Sequence, residues 1–95
     1  MSRKNYEEEI ADRLKILETA VHQLREELDK LDDELSEDQI AQFSELDELR
    51  KRSRSTFQEL VDASDEKFDD VQDRMEQYWR SLGREIKAFD DQLKH

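Results

Sequence analysis

The chain has 95 residues, room for one domain, and its 27 acidic against 16 basic side chains give a formal net charge of −11 at pH 7. With no cysteine, disulfides, a thiolate metal centre and a cysteine nucleophile are excluded. The acidic balance repels nucleic acid and anionic lipid at long range. No apolar run approaches the roughly 18 residues of a membrane-crossing helix or resembles a signal-peptide core, so a cytoplasmic protein is expected.

Only 34% of the residues are hydrophobic and 45% are charged, a balance close to that of disordered chains. Two features point instead to long helices. There is no proline and a single glycine, Gly83, and the apolar residues are strictly spaced.

The first predicted helix covers about residues 4–35. Ile10, Leu14, Leu17, Val21, Leu24, Leu28, Leu31 and Leu35 follow at intervals of 4, 3, 4, 3, 4, 3 and 4. That is a heptad seam, the narrow apolar stripe of a coiled coil. Glu9–Arg13 and Glu26–Lys30 add i,i+4 pairs worth about 0.2–0.5 kcal/mol each.

The seam then loses phase. Continued past Leu35 it falls on Asp38, Gln42 and Glu45, while apolar residues return at Ile40, Phe43, Leu46 and Leu49. Ser36 followed by Gln39 has the form of a capping box. A tight turn near Leu35–Glu37 accounts for the phase shift better than an unbroken rod does.

A longer second helix is expected over about 37–93. In its middle lies the basic run Arg50-Lys51-Arg52-Ser53-Arg54, with Ser53 and Thr56 on the seam. Thr56 with Glu59 repeats the capping-box pattern, making residues 53–56 the candidate for a kink or second turn. The expected architecture is therefore all-α: one domain, residues 1–95, folded as an antiparallel helical hairpin and assembling into a helical bundle.

The two arms are unequal, roughly 45–50 Å against 85 Å. Folding back at Ser36 brings Leu17 near Phe57 and Tyr6 near Phe68. Past Phe68 the second helix would have no partner in its own chain. There Val71, Met75, Tyr78, Trp79, Leu82, Ile86, Phe89 and Leu93 form one stripe about 100° wide. Leaving these eight exposed would forgo on the order of 10 kcal/mol. The stripe is thus the candidate partner interface.

The expected occupant is a second copy, in a homodimer with twofold symmetry. Gly83, at the side of the stripe, would admit a close helix neighbour. A different protein partner is one alternative. Another is a membrane or apolar granule surface, which a Tyr-Trp pair on an amphipathic face suits. Against lipid, the arm carries Asp69, Asp70, Asp73, Glu76, Glu85, Asp90 and Asp91 but only Arg74, Arg80, Arg84, Lys87 and Lys94.

Side chains with chemical potential are few. Glu18, His22 and Glu26 share a helix face at i, i+4 and i+8, but a surface row lacks the convergence a metal or catalytic site needs. Acid pairs such as Asp69-Asp70 are too common here to mark a site, and one glycine cannot build a phosphate loop. In the basic run, Asp47–Lys51 and Glu48–Arg52 neutralise part of the charge. No catalytic residue, cofactor or metal is expected, and no nucleic-acid partner.

Tyr6-Glu7-Glu8, the Leu-rich first helix and the stretch FQELVDASDEKFDDVQDRMEQYWRSLGREIKAF resemble a family of small bacterial coiled-coil stress-response proteins first known from cyanobacteria. The matching positions are Leu60, Ala63-Ser64, Phe68, and Trp79 with Leu82, with Phe68 where a Trp is expected. The resemblance implies a cytoplasmic protein raised under stress and no catalytic residues. Composition and resemblance both lead to a non-catalytic structural or interaction protein.

Overall fold

A computed structural model of the chain describes residues 2–31 and 35–93. The described residues form an all-α bundle of three helices, α1 (Arg3–Leu31), α2 (Glu37–Asp62) and α3 (Asp65–Leu93). The bundle measures 50 × 19 × 17 Å, and no strand occurs among the described residues. Residues 32–34, over which the heptad pattern carries the first helix on to 35, lie outside the described residues.

In α1 the heptad seam is the buried face: Ile10, Leu14, Val21, Leu24 and Leu28 are all sequestered. Ile16, off the seam, is 68% exposed. The start of α2 is set by the capping box on Ser36. Gln39 N–H donates to Ser36 Oγ at 3.1 Å, and Ser36 N–H donates to Gln39 Oε1 at 3.0 Å. Two amides left over at a helix start are thereby satisfied reciprocally. From that start α2 runs antiparallel to α1, with Glu18 meeting Arg54 and Arg3 reaching Leu60.

Residues 53–56 form no second turn; they sit inside α2, which is helical throughout. Ser53 and Thr56 are buried there among the apolar residues. Ser53 Oγ donates back to Leu49 O at 2.9 Å, so its hydroxyl is satisfied within its own helix. The small side chains keep the seam narrow without breaking it.

The long second helix of the sequence pattern is two helices. The break falls at Ala63-Ser64, where Ala63 takes an extended conformation (φ −68°, ψ 142°) and ends α2. Asp65 and Glu66 then occupy the first turn of α3, where negative charge complements the helix dipole. α3 runs back antiparallel to α2 and parallel to α1.

Two apolar clusters result. The larger joins Leu14, Val21, Leu24 and Leu28 of α1, Phe43 and Leu46 of α2, and Leu82 and Phe89 of α3. Phe43 and Phe89 meet there with ring centroids 5.9 Å apart. The smaller, at the α2–α3 turn, joins Ile10, Leu60, Phe68, Val71 and Met75.

Candidate functional site

All eight residues of the candidate interface lie along α3, on the face turned toward α1 and α2. Val71, Met75, Leu82 and Phe89 are buried; Tyr78, Trp79, Ile86 and Leu93 are half-buried. Met75 and Leu82 are 0% exposed. The stripe is therefore covered by the chain's own helices, and no overhang exists past Phe68. Burial of its four fully enclosed members is worth roughly 6–12 kcal/mol at about 1.5–3 kcal/mol each. Trp79 packs beside the smaller cluster, and the Arg13 guanidinium lies 4.9 Å from its ring centroid, a cation–π contact.

Within the chain, Gly83 does not serve a close helix crossing. A Cβ placed there would meet only Leu17 Cδ2, at 3.9 Å, an ordinary van der Waals contact. Its backbone is helical, with no positive φ.

The basic run is taken up in ion pairs. Arg54 grips Glu18 of α1 through both Nε and Nη2, and this carboxylate pushes the guanidinium pKa further up. Arg50 Nε bonds Asp47 at 2.8 Å, Lys51 Nζ lies 3.8 Å from Asp47, and Arg52 Nε lies 3.9 Å from Glu48. The Glu18, His22, Glu26 row is likewise divided. Glu18 faces Arg54, while His22 Nε2 pairs with Glu26 at 3.2 Å. Among the described residues no group of three or more His, Cys, Asp or Glu is placed to hold a metal.

One polar site had no precedent in the sequence pattern. It lies where the N-terminus of α1 meets the α2–α3 turn. A helix end leaves its last carbonyls without amide partners. Val61 and Ala63 lose the amides of Asp65 and Lys67 that a continuous helix would supply, and Leu60 O receives the Ala63 amide, at 3.4 Å, in place of that of Ser64. Arg3 supplies the replacement. Its Nη2 lies 3.2 Å from Leu60 O, 3.2 Å from Val61 O and 2.5 Å from Ala63 O. Its Nη1 donates to Asp65 at 2.9 Å and its Nε to Glu7 at 3.2 Å. The guanidinium also sits 4.4 Å from the Phe68 ring centroid.

Tyr6 completes this clasp. Its ring meets Phe68 edge-on at 6.0 Å, and its hydroxyl donates to Glu76 at 3.3 Å. Burial first, then the Glu76 charge, pushes its pKa up to about 12, so the phenol keeps its proton at neutral pH and acts as a donor. The clue in the sequence was indirect. The end of α2 has no basic residue in its last turn and no glycine or asparagine just beyond it, so its carbonyls have no local side-chain or left-handed cap.

Comparison with protein-family models, curated proteins and solved structures yields no match to this chain.

Proposed function

We propose that this is a non-catalytic structural or interaction protein that associates with a second copy of itself through α3. The observation that carries this is the character of α3. It separates apolar from charged residues more sharply than α1 or α2 do, yet its own chain covers Tyr78, Trp79, Ile86 and Leu93 only in part. A helix so built is equally suited to packing on another copy's α1 and α2. The side chains with chemical potential support a non-catalytic role: Glu18 is held by the basic run, His22 lies against Glu26, and Tyr6 is held neutral.

No described helix is long and apolar enough to cross a membrane; a cytoplasmic, stress-associated role is what the family resemblance implies. Light scattering across a concentration series tests the reading. A species at twice 11.5 kDa that grows with concentration is expected; a constant monomer mass, even after refolding at high concentration, would refute it. Vesicle pelleting abolished by Trp79→Glu would favour the membrane or granule surface instead.

A further inference from the structure

We infer that the Ala63-Ser64 turn is a hinge locked by Arg3, and that releasing it lets two copies exchange α3. This rests on the self-association proposed above and specifies its route. The partner is a second copy because α3's stripe fits the α1–α2 surface it already covers, now presented by another chain.

Three observations converge on the hinge. First, the turn contains neither glycine nor proline, and no described residue outside glycine has a positive φ. Nothing in Ala63 or Ser64 forbids a helical conformation. Second, the seam runs through the break. Phe57, Leu60, Ser64, Phe68, Val71 and Met75 follow at intervals of 3, 4, 4, 3 and 4, a stutter that a continuous helix accommodates. Third, Arg3 occupies the three carbonyls that an unbroken helix would satisfy with its own amides. The closed turn draws on this remote side chain in addition to its own Ala63–Leu60 and Lys67–Ser64 backbone bonds; the straight helix does not need it.

Straightening the hinge joins α2 and α3 into one helix of roughly 85 Å. Two such chains, antiparallel about the hinge, place each α3 on the other's α1 and α2. The α2–α3 contact stays antiparallel and the α1–α3 contact parallel, as within one chain. Every buried contact of α3 can be remade across the dimer, so the balance rests on the hinge. Loss of Arg3 weakens the closed form more, since its contacts with Asp65 and Phe68 can be remade in the dimer but those with the Leu60, Val61 and Ala63 carbonyls belong to the bent turn.

The test compares wild type, Arg3→Ala, Asp65→Pro and the double variant, each refolded at high concentration and sized by light scattering. Proline is tolerated at the first position of α3 but not inside a continuous helix. Arg3→Ala should raise the dimer association constant by roughly tenfold or more, and Asp65→Pro should abolish the dimer in either background. Exchange is read directly from Glu59→Cys/Arg74→Cys in the otherwise cysteine-free chain, whose native pair spans α2 and α3 at 2.9 Å. A bismaleimide should link two chains in the dimer fraction and one chain in the monomer.

If wild type dimerises and Asp65→Pro dimerises equally, self-association stands and the hinge is overturned. If none of the proteins dimerises, both fall. Should Arg3→Ala lose its helicity, wild type against Asp65→Pro decides the same question alone.

Discussion

Replacing Leu82 by alanine tests the packing of α3 most directly. Leu82 is 0% exposed and belongs to the larger cluster with residues of α1 and α2. Truncating an enclosed leucine removes its transfer energy and leaves a cavity, at a cost of roughly 2–5 kcal/mol. A domain of this size is stable by about 5–15 kcal/mol, so the loss is a large share of the whole. At about 4–8 °C per kcal/mol, the melting temperature should fall by about 8–40 °C. The assay is thermal unfolding followed by far-UV circular dichroism at two widely separated protein concentrations. Ile16→Ala, at a position 68% exposed, is the control and should stay within about 0.5 kcal/mol of wild type. An α3 that packs within the chain makes the Leu82 penalty equal at both concentrations. A Leu82→Ala shift no larger than the control's, or one that vanishes on dilution, would refute the packing.

Gly83→Ala should stabilise the fold by up to about 1 kcal/mol, because the added methyl meets only Leu17 and helix propensity improves; equilibrium denaturation measures it. Ser36→Ala removes the hydroxyl that accepts the Gln39 N–H at the start of α2, leaving the residue 36 amide on Gln39 Oε1, and should cost about 0.5–2 kcal/mol by the same method. Tyr6 titrates from an ordinary value of 10.0 in the unfolded chain to about 12 in the fold. A raised pKa means its contribution is complete below pH 10 and is lost as pH climbs toward 12. Denaturation midpoints measured across that interval should fall for wild type, and Tyr6→Phe should remove that part of the slope.

The first half of the fold was open to inspection in the residues themselves. The heptad seam from Ile10 marked the buried face of α1, and Ser36 with Gln39 marked the start of α2, because both signals are local. The break at Ala63-Ser64 left no such mark. It has no glycine or proline, and the seam passes through it with only a stutter, so spacing alone describes one helix. Ser53 and Thr56 misled for the opposite reason: hydroxyls on a seam resemble a turn, yet a bond back to Leu49 lets Ser53 remain helical. The stripe from Val71 to Leu93 was identifiable as a face needing cover. Which chain covers it depends on the direction of α3, and that is decided at the undetected turn. Arg3 was hidden for a further reason, since its carbonyl partners lie 57 to 60 residues away.

That separation has a kinetic meaning. Joining the chain's beginning to a corner two-thirds along it closes a loop of 57 to 60 residues, and such a closure costs more entropy than the shorter ones between neighbouring helices. Neighbouring helices zip together earlier, so the guanidinium should find its carbonyls only after the rate-limiting barrier is crossed. A chevron for Arg3→Ala would then keep its refolding limb and shift its unfolding limb upward. In that case residue 3 governs how long a finished molecule lasts and has no part in how quickly one is made.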